Sequence, residues 1–168
     1  MQKPKYQNIK SGGPTVEGKY SINLEPSPER QPSLVKSGGG YALKPTTEGG
    51  IEKVGKIYTD ETKTKYVDFT DIWGNYRANL DPIDVKQPLG ADGKPLKAPE
   101  ARDLSSFYLH DSQKGSSSGC HECESALFDR LLEYQKNHPD EKKIIVVVKY
   151  SSQEQSTNGG TKKQKKKS

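Results

Sequence analysis

Apolar and polar residues alternate along most of this chain in short runs, and the 11 prolines and 16 glycines interrupt these runs repeatedly. Residues 20–24 read YSINL, which puts three apolar side chains on one face of an extended segment. Because successive side chains of a strand point to opposite faces, this alternation predicts short strands. Further strands are predicted at residues 41–43, 51–58, 64–69, 75–80, 105–110 and 142–150. We therefore expect a mainly β protein of the α+β class.

Two long segments stand out from this pattern. Residues 142–150 read KKIIVVVKY, and a continuous apolar run of this length predicts a central, buried strand. Residues 81–103 are rich in proline, glycine and charge, which predicts a long surface loop.

Only one segment has the apolar spacing of an amphipathic helix. We expect this main helix to begin at Cys120, to reach about Asn137, and to be ended by His138 and Pro139. Its apolar stripe comprises Cys123, Leu127, Phe128, Leu131, Leu132 and Tyr134.

Length and composition indicate one small domain. The chain has 168 residues, 29% of them hydrophobic, and a mean hydropathy of −0.98. We assign residues 1–11 to a flexible N-terminus, 12–150 to the domain and 151–168 to a disordered, lysine-rich tail.

The positive charge of the chain is concentrated at its end. Five of its 27 basic residues lie in residues 161–168, so the rest of the chain balances its 22 acidic residues. A specific nucleic-acid surface would spread positive charge over a folded face with stacking aromatic residues, so we expect no specific nucleic-acid partner. No window is apolar enough for a membrane span or a Sec signal, and we expect synthesis in the cytoplasm without such a signal.

The residues with reactive side chains are clustered. His110, Cys120, His121 and Cys123 lie within 14 positions, separated by serines and glycines. A cysteine attacks a carbonyl as its thiolate, and a helix N-terminus or an adjacent imidazole favours that form. We therefore take Cys120 as the candidate nucleophile and His110 as the candidate general base and acid.

The residues before Cys120 suit a sharp turn. The backbone N–H groups of Ser118, Gly119 and Cys120 are candidates to bind an oxyanion that forms during attack. Cys123 lies on the apolar stripe and is expected to be a core cysteine.

Three segments together resemble the catalytic domain of L,D-transpeptidases. His110 followed by the Ser-Gly-Cys turn at residues 118–120 is similar to the family's active-site signature. Residues 14–22, PTVEGKYSI, resemble its first strand, and residues 73–77, WGNYR, resemble a segment of the branch found among type VI secretion effectors. The resemblance covers about residues 12–150. Asp111 and Glu122 depart from the family pattern, in which glycine often follows the histidine and Arg or Asn stands two residues after the nucleophile.

The resemblance implies both a fold and a function. The fold would be β-sandwich-like, with one main helix after the nucleophile. Cys120 would form an acyl-enzyme with a peptidoglycan stem tetrapeptide at its third residue, usually meso-diaminopimelate, and would expel the terminal D-Ala. Water as acceptor gives L,D-carboxypeptidase activity, and an amine gives exchange or cross-linking. No cofactor or metal is implied.

The effector branch further implies delivery and partners. The protein would be an interbacterial toxin carried by a secretion machine into the periplasm of a target cell. An immunity protein would protect the producing cell. Trp73, Tyr76 and Arg77 are candidates to line a groove for a glycan or stem peptide, and Tyr108 is a further candidate. The alternative for the first three is core packing with an exposed arginine.

Two other functions remain open from the sequence. Cys120-His121-Glu122-Cys123 is a CxxC motif at a predicted helix start, as in thiol-disulfide oxidoreductases. That class predicts a βαβ arrangement with several helices, whereas only one helix is evident. The second alternative is a non-enzymatic, envelope-binding β module. A zinc site is disfavoured, because these four ligands would pin only a local loop.

Overall fold

The structure is a computed structural model that describes residues 3–10, 12–25, 30–47, 49–112 and 119–155. It is 33% strand and 14% helix, so the predicted mainly β, α+β class is confirmed.

Eleven strands and two α-helices follow one another along the described chain, after a short 3-10 helix at Pro4–Tyr6. In chain order they are β1 (Gly18–Asn23), β2 (Leu34–Ser37), β3 (Gly40–Leu43), β4 (Ile51–Lys53), β5 (Lys56–Tyr58), β6 (Tyr66–Asp68), α1 (Thr70–Trp73), β7 (Tyr76–Asn79), β8 (Asp81–Val85), β9 (Tyr108–His110), β10 (His121–Glu122), α2 (Ser125–Asn137) and β11 (Lys143–Val148).

The strands form two larger sheets and two hairpins. One sheet has the antiparallel order β11-β1-β8, and the other has the order β10-β9-β7-β4. Strands β2 and β3 form one hairpin, and β5 and β6, which lie within the predicted strands 51–58 and 64–69, form the other. Both larger sheets and α2 contribute to a single core. Its most buried side chains are Tyr20, Ile22, Leu24, Ile51, Ala78, Leu80, Phe107 and Phe128.

Strand β11 does not occupy the predicted central position. It lies at the edge of the sheet that the described residues form, and Ile145 and Val147 are 54% and 65% exposed. Val148, on the other face, belongs to the core. β11 is therefore apolar on both faces but has core contacts on one face only.

The predicted start of the helix is also wrong. Helix α2 begins at Ser125, and the two residues after Cys120 belong instead to β10, which pairs in parallel with β9. The backbone N–H of Cys123 donates to the carbonyl of His110 at 2.9 Å, which holds this segment extended. The predicted end is correct: α2 ends at Asn137, and the N–H of His138 donates to Tyr134 O.

Part of the predicted loop is a strand. Residues 81–85 form β8, which pairs with β1 through an irregular register at Lys19 and Tyr20. The sequence DPIDV hides this strand, because proline cannot donate to a ladder and is found in edge strands or at bulges. Here it lies opposite Tyr20, next to that irregularity, in an edge strand.

Segments outside residues 12–150 also contact each other and the domain. The N–H of Lys5 donates to the carbonyl of Gln153, and its ammonium group pairs with Glu154 at 2.9 Å. Arg102 donates to the carbonyl of Gln7. Residues 156–168, which carry the lysines of the tail, lie outside the described residues.

Gly74 joins α1 to β7 at a place where no other residue fits. Its φ of 80° and ψ of −154° lie in a region that only glycine adopts readily, and an added Cβ would lie 2.1 Å from Asp111 Oδ1. Gly93 has a similar φ of 73°, but nothing lies within 4 Å of its Cβ position.

These two glycines make a matched pair. We expect Gly93→Ala to lower the free energy of unfolding by about 1 kcal/mol, the conformational cost alone. Gly74→Ala should lower it by about 3 kcal/mol or more, because the clash adds to that cost. Urea unfolding followed by the fluorescence of Trp73, the only tryptophan, measures both. Equal losses would show that Asp111 moves away from the added methyl group at no measurable cost in stability.

Candidate active site

A row of charged and polar residues crosses the four-stranded sheet. Glu52 pairs in register with Arg77, Arg77 with His110, and His110 with Glu122, one residue from each strand. Paired residues point to the same face of a sheet. This face lies opposite the one that contributes Ala78 and its neighbours in register to the core. The predicted base His110 is therefore in the middle of a polar row and is 1% exposed.

Cys120 lies directly before β10 and is half-buried. It stands two residues before Glu122, and residues two apart along an extended strand share a face. We infer that Cys120 is on the polar face of the sheet, one strand away from His110 and next to Tyr108 in the continued register. The parallel pairing of β10 with β9 thus brings the two predicted catalytic residues to the same face of adjacent strands.

Cys123 is in a different environment. It packs against the main core, as predicted, and is not joined to Cys120 by a disulfide. Burial, together with the nearby carboxylates of Asp111 and Glu124, raises the pKa of the Cys123 thiol to about 12. A thiol with this pKa is almost entirely protonated at neutral pH and is a poor nucleophile.

The turn before the nucleophile requires glycine. Gly119 has a φ of 106°, and an added Cβ would lie 3.0 Å from Arg102 Nη2 and 3.1 Å from Phe107 Cε1. Ser118, the other residue predicted to form this turn, lies outside the described residues.

Arg102 supplies positive charge beside this turn. It is 4% exposed, its Nη2 donates to the carbonyl of Gly13 at 3.2 Å, and its guanidinium lies 5.1 Å from the ring centre of Phe107. Among the described residues no carboxylate pairs with it. Burial lowers the pKa of Arg102, but an arginine stays charged in proteins. Since α2 begins five residues after Cys120, the helix does not start at the candidate nucleophile as predicted, and the positive charge at this turn belongs to Arg102.

Asp111, the residue after His110, has structural partners. Asp111 Oδ1 accepts the N–H groups of Asn75 and Tyr76 at 2.6 and 2.9 Å, and Oδ2 accepts the hydroxyl of Ser125. These contacts tie the end of β9 to β7 and to the start of α2. The imidazole of His110 itself lies edge-on to Trp73, with ring centres 5.4 Å apart.

A cavity of about 430 Å³ opens on the same face of the sheet. It brings together three of the residues expected to line a groove, Trp73, Arg77 and Tyr108. Tyr76, also expected there, instead stacks on Phe128 and packs against the core. The remaining lining residues are Leu43, Pro45, Thr46, Asn79, Asp81, Asp103, Ser105 and Ser106. Trp73 lines the cavity and also packs edge-on against His110, whereas neither His110 nor Cys120 is among the lining residues.

Arg77 is not the exposed arginine of the packing alternative. It is 1% exposed; its Nε donates to Glu52 Oε2 at 2.6 Å, and its guanidinium lies 4.9 and 4.8 Å from the ring centres of Trp73 and Tyr108. Its guanidinium is therefore paired within the protein, with a carboxylate that Arg30 also contacts at 3.3 Å. The carboxylates left at the cavity wall belong to Asp81 and Asp103, both on exposed residues.

Several of these residues were not singled out from the sequence. Glu52 and Arg102 are isolated charges in a chain that is 29% charged, so no local pattern marks them. The alternating strand at residues 51–58 does predict two faces, but not which of them carries a partner for Arg77.

Within the described residues, no group of three or more His, Cys, Asp or Glu side chains is arranged to hold a metal ion. Neither α-helix in this part of the chain is long and apolar enough to cross a bilayer. Comparison with known protein families and with curated proteins gives no match to the sequence.

The two cysteines should differ in reactivity. In the native protein at pH 8, iodoacetamide should label Cys120 readily and Cys123 at least roughly a hundred times more slowly, because its thiolate fraction is so small. Cys120→Ser and Cys123→Ser leave one thiol each, so mass spectrometry of each variant reads one rate. Equal rates in the folded variants would contradict the assignment of Cys123 to the core.

The buried ion pair below the cavity should be important for stability. Glu52→Gln leaves the guanidinium of Arg77 buried without a carboxylate, and we expect a loss of about 3 kcal/mol in the free energy of unfolding. The matched change Glu25→Gln breaks the exposed pair with Lys142 and should have no measurable effect. Urea denaturation compares the two, and an equal response would mean that the buried pair is dispensable.

Proposed function

We propose that this protein is a cysteine enzyme that modifies peptidoglycan stem peptides, by L,D-carboxypeptidase action or by L,D-transpeptidase exchange. The observation that carries the proposal is the parallel pairing of β10 with β9, which gives Cys120 and His110 one face of adjacent strands. The positive-φ glycine before the cysteine supports it, as does the cavity lined by Trp73, the residue that packs against His110.

The proposed chemistry uses four groups of the chain. His110 takes the thiol proton as the sulfur of Cys120 attacks the carbonyl carbon of the third stem residue. The backbone N–H groups of Gly119 and Cys120 stabilise the oxyanion of the tetrahedral intermediate. The bond to the terminal D-Ala then breaks, its amine leaves with a proton from His110, and a thioester remains. Water or an amine attacks this thioester and restores the thiol.

The walls of the cavity support the proposed substrate class. The third residue of a stem carries a side-chain amine when it is diaminopimelate. Asp81 and Asp103 place two carboxylates where such an ammonium group could pair, and the guanidinium of Arg77 is itself paired with Glu52. Trp73 and Tyr108 add aromatic surface to the wall of the cavity.

Geometry speaks against the dithiol alternative. Cys120 and Cys123 are separated by two residues of a strand, so at about 3.3 Å per residue their Cα atoms are about 10 Å apart. A disulfide needs Cα atoms within about 7 Å, so its formation would require β10 to leave β9. The envelope-binding module would use the same cavity without a reactive thiol. The alkylation experiment above therefore separates the binding module from the cysteine enzyme, which requires a reactive Cys120.

Delivery between bacteria rests on the resemblance to the type VI effector branch. An immunity protein would then be expected to cover the cleft that contains Cys120. The carrier and the periplasm of a target cell belong to the same proposal.

Mass spectrometry of muropeptides tests the function. Purified sacculi are incubated under reducing conditions with the wild type, with Cys120→Ala and with Cys123→Ala. We expect the wild type to remove or exchange the terminal D-Ala, Cys120→Ala to lose at least about 1,000-fold in rate because the nucleophile is gone, and Cys123→Ala to retain most of the activity.

The outcomes are distinct. Unchanged stems with the wild type would overturn the proposed function. If the wild type and Cys120→Ala altered the stems equally, the protein would have an activity on stems, but Cys120 would not be its nucleophile.

A further inference from the structure

Thr15 places a buried hydroxyl group against the nucleophile turn. Its side chain is 1% exposed, and its Oγ1 donates to the carbonyl oxygen of Gly119. The same Oγ1 lies 2.8 Å from Nδ1 of His121. One hydroxyl therefore contacts the residues on both sides of Cys120.

The direction of these two hydrogen bonds follows from the donors present. A carbonyl oxygen only accepts, so the single hydroxyl proton of Thr15 lies between Oγ1 and Gly119 O. Oγ1 must then accept from His121, which requires a proton on Nδ1. Burial lowers the pKa of His121, so its neutral form, with Nδ1 protonated and Nε2 unprotonated, fits the site.

The bond to Gly119 fixes the orientation of the next peptide group. In a trans peptide the carbonyl of Gly119 and the N–H of Cys120 point in opposite directions within one rigid plane. A carbonyl held by Thr15 therefore turns the Cys120 N–H away from the buried cluster. That N–H is one of the two donors proposed for the oxyanion.

We propose that Thr15 is a positioning residue that aligns the Cys120 N–H with the oxyanion, and that His121 holds the Thr15 hydroxyl in place. This inference rests on the proposed function and adds a residue to that site. Thr15 touches neither the sulfur nor the substrate in this scheme; it acts through the Gly119–Cys120 peptide.

Thr15 is itself held firmly enough for this role. Its carbonyl accepts the hydroxyl of Tyr150 at 2.9 Å, and the ring of His121 stacks on Tyr150 with centres 6.1 Å apart. The neighbouring carbonyl of Gly13 accepts from Arg102, which also lies against Gly119. Contacts from Arg102 and Tyr150, which are distant in sequence, thereby hold residues 13–15 against the turn.

The test compares Thr15→Val with Thr15→Ser. Valine keeps the shape and removes the hydroxyl, whereas serine keeps the hydroxyl. Two reactions of Cys120 are measured for each, in the Cys123→Ser background. Acylation by p-nitrophenyl acetate forms a thioester C–S bond, breaks the ester C–O bond and releases p-nitrophenolate through an oxyanion. Alkylation by iodoacetamide displaces iodide at carbon and forms no oxyanion.

We expect Thr15→Val to slow acylation by about 10- to 100-fold, because one oxyanion donor is misaligned. Its alkylation rate should stay within about twofold of the wild type, and Thr15→Ser should keep both rates within about threefold. On stem peptides the same loss should fall on kcat and leave KM nearly unchanged. Acylation and alkylation reduced equally in Thr15→Val, or acylation unaffected, would overturn the inference.

A second measurement needs no variant to fold. Nitrogen-15 NMR of the histidine rings in the wild type should show His121 as the Nδ1–H form at neutral pH. An Nε2–H form would mean that Thr15 donates to His121 instead of Gly119, and the inference would fail.

The two levels of proposal can be told apart. If the wild type leaves stems unchanged but Thr15→Val still slows acylation selectively, the peptidoglycan function fails and the positioning role stands. If the wild type is active on stems and Thr15→Val retains its full kcat, the positioning role fails and the function stands.

Discussion

The site depends on the parallel pairing of β10 with β9. Only two residues of β10 join the ladder, and the N–H of Cys123 extends it by one bond to His110. This short pairing keeps the chain extended after Cys120 and so delays the start of α2 until Ser125. It also sends two cysteines three positions apart to opposite faces of the sheet. We infer that one thiol lies on the polar face that also carries the candidate base, and the other packs, partly buried, against the core.

Two buried arginines flank this pairing, and they differ in what neutralises them. Arg77 is paired with Glu52, so its charge mainly holds β4 to β7 and supports the floor of the cavity. Arg102 is held by carbonyl oxygens and an aromatic ring. A buried charge without a counter-ion is costly to fold. Because its charge has no carboxylate partner among the described residues, Arg102 is available to stabilise an anion that forms near Gly119 during the proposed reaction.

Local patterns predicted the elements that depend on local chemistry. Alternation at residues 20–24 predicted β1, and the proline after His138 marked the end of α2. Position within a sheet was not predictable in this way. The apolar residues of β11 suggested a central strand, but the number of neighbours a strand has is set by the rest of the chain. The predicted start of α2 was wrong for the same reason, since the pairing of β10 with β9 overrode the helical periodicity around Cys123.

The candidate site likewise contains residues that local sequence predicts and residues that only the fold reveals. Cys120 and His110 could be chosen from residue type and spacing, whereas Thr15 could not, because its hydroxyl matters only where the fold places it. Strand parity then separates the two histidines nearest the thiol. His121 is adjacent to Cys120 in sequence, yet its side chain turns to the opposite face, where its Nδ1 is committed to Thr15. His110 is ten residues away but shares the face of Cys120. In the proposed mechanism, His110 is therefore preferred over His121 as general base because of the alternation of two paired strands and not because of distance along the chain.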